Sequence, residues 1–186
     1  LSLASIVSRM RIAVFCSSSP SIDNKYVELA YQLGQGIAST KNELVSGGGH
    51  ISMMGAVSRG ARDNGGKTVG VIPQALVDIE FADRDNDELH VVETMGQRKH
   101  LITDISDAFI TLPGGAGTLE EFFEIWVGHY LKFHSKPVVI LDPFGIYKPL
   151  HELIVHLEDE KFIKPGMREI VQWTTNVEDA LKACGA

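Results

Sequence analysis

Seven short apolar runs separated by helix-length segments constrain this chain more than any other feature. The runs are Ile12–Cys16, Glu43–Ser46, Thr68–Ile72, Leu89–Val92, Ala108–Leu112, Val138–Leu141 and Ile170–Trp173. Most are apolar at consecutive rather than alternate positions, the pattern of strands covered on both faces. Helix-type segments fall at 24–39, 51–63, 96–106, 118–132, 147–159 and 177–183. Asp23 is placed to cap the first and Gly65-Gly66 to stop the second. Strand–helix alternation with right-handed crossovers predicts an α/β fold: a doubly wound, mostly parallel sheet of about seven strands with helices on both faces.

At 186 residues the chain suits one domain with a full core. Its net charge of −7 argues against a nucleic-acid surface, and no stretch reads as a membrane span. Cys16 and Cys184 are too few for a disulfide framework, so a reduced, cytoplasmic protein is expected. Residues 1–10 are expected to be a disordered extension or cloning remnant, with 11–186 as the single domain. The polar segment Phe81 to Glu88 is expected to be a loop over a site.

In such a sheet, ligands bind beyond the carboxyl ends of the strands. The stretch Pro113-Gly114-Gly115-Ala116-Gly117-Thr118-Leu119-Glu120-Glu121 lies there, between an apolar run and a helix-type segment. Its glycines allow a sharp turn and close approach of a ligand. The helix that follows directs its first N–H groups and its dipole at that point, which suits a phosphate. Glu121 adds a carboxylate that phosphate binding does not need; its bland alternative is a helix-dipole role that Glu120 and Glu124 would fill equally. A second glycine turn, Gly47-Gly48-Gly49, and Cys16-Ser17-Ser18-Ser19 fall on the same rim.

Competing motifs fail. A dinucleotide G-x-G-x-x-G ends at Ser52 when read from Gly47 and at Glu120 when read from Gly115. Gly66-Lys67-Thr68 has the tail of a P-loop, but position 61 is Ala and the segment leads into a strand. The seven histidines show no zinc spacing, and His129, His134, His151 and His156 are expected on solvated helix faces or ends. No cofactor or metal is therefore expected. Arg98-Lys99, after the fourth run, offers a planar fork and a point charge toward the same rim.

Pro113 to Glu121 together with Arg98-Lys99 resembles the signature of the Lonely Guy family, the cytokinin riboside 5′-monophosphate phosphoribohydrolases. The resemblance extends to Val14-Phe15-Cys16-Ser17-Ser18, Gly47-Gly48-Gly49 with Met54-Gly55, Val69 to Pro73, and Ser106 to Phe109. It implies a Rossmann-like homo-oligomer, commonly a dimer, that cleaves a purine N-glycosidic bond to free base and ribose 5-phosphate. By position it implies Arg98 and Glu121 as catalytic, and Gly114, Gly115, Gly117 and Thr118 as the phosphate turn. It implies Lys99 and Glu80 as substrate contacts. Ala116 and Glu120 within the turn, and Ser17, Gly48 and Gly49 on the rim, complete the candidate substrate-binding set. Many such sequences carry the label lysine decarboxylase, but no pyridoxal phosphate site can be argued from these residues.

The expected partner is a purine nucleoside 5′-monophosphate, AMP or its N6-prenylated form, with neither nucleic acid nor membrane involved. Many family members continue after Glu124 with a Thr-Trp pair and a Gln-Leu-Gly run, where this chain reads Trp126-Val127-Gly128-His129-Tyr130-Leu131-Lys132. If Val127 and Gly128 line the place of the N6 substituent, Gly128 leaves room for a prenyl group; without a prenyl preference, plain AMP is the alternative substrate. A non-catalytic alternative is the related group that carries molybdenum cofactor on a similar turn. The presence of both Arg98 and Glu121 favours the enzyme.

Overall fold

A computed structural model describes residues 9–77, 79 and 81–186. Seven strands are β1 (Arg11–Phe15), β2 (Glu43–Ser46), β3 (Thr68–Pro73), β4 (Glu88–Val92), β5 (Ala108–Thr111), β6 (Val138–Leu141) and β7 (Val171–Thr174). They pair in the order β4-β3-β2-β1-β5-β6-β7, every pair parallel. Six helices are α1 (Asn24–Ser39), α2 (Ser52–Asp63), α3 (Met95–Ile105), α4 (Ala116–Tyr130), α5 (Lys148–Asp159) and α6 (Val177–Cys184). The expected sheet is thus wholly parallel rather than mostly so, with each element boundary close to its expected place. Residues 1–8 and Glu80 lie outside the described residues, and with them most of the expected extension and one candidate substrate contact. Met10 is already tied down, its amide donating to Asn42 Oδ1 and its carbonyl accepting from Glu43 N–H.

Successive strand residues point to opposite faces, so each strand feeds two cores. Ile12, Val14, Leu44, Ile110 and Val139 pack with α1, α2 and α6 through Leu33, Met53, Val57 and Leu181. Ala13, Phe15, Val45, Phe109 and Ile140 pack with α3, α4 and α5 through Ile102, Phe122, Trp126 and Ile154. Asp23 caps α1 by accepting from Lys25 N–H at 2.9 Å, and α2 closes with Gly66 N–H donating to Ala61 O.

The chain winds from β1 toward β4, then returns to β5 beside β1 and winds toward β7. The neighbours β1 and β5 therefore lead in opposite directions, and their carboxyl ends open a crevice at that switch.

The contents of two segments differ from expectation. His129 lies in the last turn of α4, as expected, and His134 just beyond it, but both are half-buried and hydrogen-bonded rather than freely solvated. His129 Nδ1 lies 3.0 Å from Lys136 O, and His134 Nε2 lies 3.0 Å from Ile125 O while its Nδ1 accepts from Lys136 N–H. Both rings pin the connection from α4 to β6. His134 also tilts against Phe109, and burial lowers its pKa below the ordinary histidine value. On α4 the buried seam is Thr118, Phe122, Ile125 and Trp126, whereas Phe123, Val127 and Leu131 stay exposed one turn apart.

Candidate active site

Three elements bring the candidate residues to one cleft of about 360 Å³ at the crevice between β1 and β5. The turn after β1 supplies Cys16, Ser17, Ser18 and Ser19, α3 supplies Met95 and Arg98, and α4 supplies Gly117, Thr118, Glu120 and Glu121. Gly115 at the cap of α4, Met54 of α2 and Leu76 complete the lining.

Arg98 is placed from its backbone outward. Thr94 Oγ1 accepts from Gln97 N–H, and the Gln97 side chain accepts from Thr94 N–H, a capping box that starts α3 in a fixed direction. One turn in, Arg98 is 5% exposed. Its Nε donates to Val71 O and its Nη2 to Gly47 O, each at 3.1 Å. A Cβ at Gly47 would occupy the place of Nη2, so the glycine there makes room for the guanidinium. Two charged-group hydrogen bonds, each worth about 1.5–3 kcal/mol, offset part of the cost of burying the cation. The side chain is thereby held rigidly, with Nη1 4.0 Å from Glu121 Oε1.

The second half comes from the turn after β5. Helix α4 is capped by Gly115 with no side-chain hydrogen bond and has no acidic residue in its first turn. Its N-terminal N–H groups and dipole are therefore presented to the cleft without a built-in anion. A Cβ on Gly114 would collide with the Thr118 side chain, so this glycine admits Thr118, whereas added atoms at Gly115 or Gly117 would meet open space. Glu121 sits one turn further with its side chain 13% exposed. Lys99 reaches across from α3 to the carboxylates of Glu120 and Glu124, the latter at 2.6 Å. The hydrogen bond to Glu120 first, then that to Glu124, raises the Lys99 pKa above its ordinary value.

The remaining candidates divide. Ser17 lines the cleft, whereas Gly114 borders an apolar recess beside it with Ile22, Tyr26, Met53, Pro113 and Ile146. Ala116, Gly48 and Gly49 do not line the cleft. The Gly48 carbonyl accepts from Asp83 N–H, and Gly49 pairs with Ala82, so the second glycine turn receives the 81–88 loop. That loop is latched by buried Asp83, which Arg62 bonds at 2.9 Å. The residue that sequence reasoning missed is Tyr147, whose buried hydroxyl reaches Leu112 O at 3.0 Å and Gly114 O at 3.2 Å. The contact spans more than thirty positions and no local pattern announces it. The capping box Thr94-Met95-Gly96-Gln97, by contrast, was readable.

Comparison with known proteins places this geometry in a lineage. The family model described as "Possible lysine decarboxylase" matches residues 54–184. A cytokinin riboside 5′-monophosphate phosphoribohydrolase of Mycobacterium tuberculosis is 48% identical over 173 residues, 93% of this chain and 92% of that protein. The chain belongs to the Lonely Guy family of cytokinin riboside 5′-monophosphate phosphoribohydrolases. A member from Arabidopsis thaliana is 40% identical over 92% of this chain and 80% of its own length. Among solved structures, the molybdenum cofactor binding protein of Rippkaea orientalis superposes with a TM-score of 0.72 over 95% of both chains at 24% identity, a likeness of fold. This chain thus shares its fold with that molybdenum cofactor binding protein.

Proposed function

We propose that this Lonely Guy protein hydrolyses the N-glycosidic bond of a purine riboside 5′-monophosphate of the cytokinin type, giving free base and ribose 5-phosphate. The observation that carries this reading is Arg98 Nη1 facing Glu121 Oε1 at 4.0 Å beside the uncapped start of α4. The amides of Gly115, Gly117 and Thr118 hold the 5′-phosphate, with Ser17 opposite. As the C1′–N9 bond breaks, its electron pair leaves with the base and positive charge builds on the ribose. Glu121 opposes that charge and orients the water whose oxygen bonds to C1′. The departing base takes up a proton and the water loses one, so the step balances without a cofactor. Arg98, immobilised by two carbonyls, stabilises negative charge on the base or phosphate at no reorganisation cost.

The name of the matching family model, lysine decarboxylase, fits less well. A pyridoxal Schiff base needs a neutral amine, whereas Glu120 and Glu124 hold Lys99 as an ammonium ion. The chain's likeness to molybdenum cofactor carriers is one of fold, and a carrier gives no account of Glu121 beside Arg98. We place the protein in the cytoplasm, as Cys16 and Cys184 are both buried and two cysteines are too few for a disulfide framework. Residues 11–186 act as one nucleotide-binding domain, and it works as a homodimer or higher homo-oligomer joined through Phe123, Val127 and Leu131. The test is chromatography of AMP and N6-isopentenyl AMP incubated with the protein and EDTA. Release of free base from N6-isopentenyl AMP supports the reading, release from AMP alone supports the plain-AMP alternative instead, and intact nucleotide in both ends it.

A further inference from the structure

The peptide between Gly114 and Gly115 has no Cβ on either side, so little steric resistance opposes its rotation. In a trans peptide the carbonyl and the N–H point in opposite directions. A flip there would exchange the Gly115 N–H for the Gly114 carbonyl at the start of α4, placing a partial negative charge against any bound anion. Something must hold this plane, and α4 itself does not, because its first turn carries no side-chain cap.

Tyr147 occupies the position to do so. It stands in the segment joining β6 to α5, 4% exposed. Its backbone N–H donates to Asp142 Oδ2 at 2.7 Å, and Asp142 Oδ1 accepts from Phe144 N–H at 3.2 Å, so the segment carrying the ring is itself tied to the end of β6. The hydroxyl reaches Leu112 O at 3.0 Å and Gly114 O at 3.2 Å, the carbonyls on either side of Pro113. Pro113 has no N–H, so the Leu112 carbonyl belongs to a peptide that offers the site no donor. The Gly114 carbonyl is the one whose orientation sets a donor.

We propose that Tyr147 is a positioning residue for the anion site: by holding the Gly114 carbonyl, it turns the Gly115 N–H toward the cleft and keeps the carbonyl dipole away from the substrate phosphate. This deepens the nucleotide reading above and rests on it for the identity of the anion. Burial holds the Tyr147 pKa well above the ordinary phenol value, so the hydroxyl remains a donor throughout the working pH range. The role is distinct from catalysis, since Tyr147 does not line the cleft that holds Arg98 and Glu121.

The test is Tyr147→Phe, which removes the hydroxyl and keeps the ring. Calorimetry with AMP, ribose 5-phosphate and inorganic phosphate is compared with adenosine and adenine. Affinity for the three phosphate-bearing ligands is expected to fall about fivefold to tenfold, with adenosine and adenine unchanged. KM for AMP rises by the same factor while kcat stays within about twofold, because the phosphate contact is equal in ground and transition states. A parallel loss for adenine, or no loss for phosphate, overturns the proposal; the first would mean that Tyr147 only supports the fold. Asp142→Asn weakens the same tether without touching the ring and is expected to give a smaller loss of the same selectivity; a loss shared with adenine counts against the proposal in the same way. The binding measurements need no turnover. A natural protein that binds AMP and releases no base would contradict the glycosidase reading while leaving the role of Tyr147 tested.

Discussion

Arg98 shows how one side chain can be both structural and chemical. Adjacent Arg and Lys at a helix start are usually solvated, and sequence position alone would leave both there. Here Arg98 is buried against carbonyls of the β2 and β3 ends, and Lys99 is the one turned outward to Glu120 and Glu124. The difference follows from α3 being fixed by its capping box, which aims successive residues about 100° apart around the helix. Replacing Arg98 with Ala should therefore do two things. It strands the carbonyls of Val71 and Gly47 without donors, lowering unfolding free energy by about 1–3 kcal/mol. It also removes the fixed charge from the cleft, lowering turnover by about a hundredfold or more. Urea melts and initial rates read both, and a loss of stability with turnover intact would remove Arg98 from the chemistry.

At the scale of elements, the glycine turn and α4 were legible, because a strand, a glycine run and an apolar helix follow one another directly. The contacts that cross between elements were not. A Cβ on Gly114 would collide with Thr118, and Gly48 and Gly49 receive the 81–88 loop. A Cβ on Gly128 would meet His134 Nε2 at 3.3 Å, and Val127 lies on the exposed stripe. The same histidine makes the α4–β6 connection sensitive to pH. Its Nδ1 accepts from Lys136 N–H, so Nε2–H donates to Ile125 O, and the neutral ring fits without a proton to spare. Burial is the largest influence and lowers its folded pKa; the bond to Ile125 comes next and acts the other way, and the nearby His129 and Lys136 charges, smaller than either, add to the lowering. The unfolded chain thus takes up a proton more readily than the folded one. This stability is whole above about pH 6.5 and is lost as pH falls from there through the folded pKa. Urea unfolding of the natural protein and of His134→Gln at pH 7.5 and 5.5 checks this; the variant should lose less on acidification. Equal losses would assign the acid sensitivity to other groups.

For the whole molecule, the parallel, doubly wound architecture was the most legible property and the surface the least. Consecutive apolar residues identify strands buried on both faces, and that pattern alone requires helices above and below the sheet. Helical spacing on α4 groups Phe122, Phe123 and Trp126 together, yet only Phe122 and Trp126 are buried. Which of the remaining apolar residues meets water depends on the neighbours of α4, which a single-helix pattern does not contain. Phe123, Val127 and Leu131 form an exposed apolar row at four-residue intervals, with Phe133 81% exposed beyond it. The proposed self-association would account for that row, and light scattering at micromolar concentration should give at least twice the chain mass of 20.4 kDa. Val127→Asp should shift the particle toward a single chain with the melting transition of each chain retained. A natural protein that is monomeric at those concentrations would leave the row unexplained and remove the oligomer from the account.

The central claim is that Glu121 makes this cleft cleave what it binds. Its most direct test pairs turnover with binding in Glu121→Gln, which keeps the side-chain shape and removes the charge. Free base and ribose 5-phosphate released from N6-isopentenyl AMP are measured by chromatography, and nucleotide affinity by calorimetry. The natural protein should release the two products in equal amounts. The variant should lose about a hundredfold or more in rate while binding the nucleotide within a few fold. Full base release by Glu121→Gln, or none by the natural protein, would contradict the account.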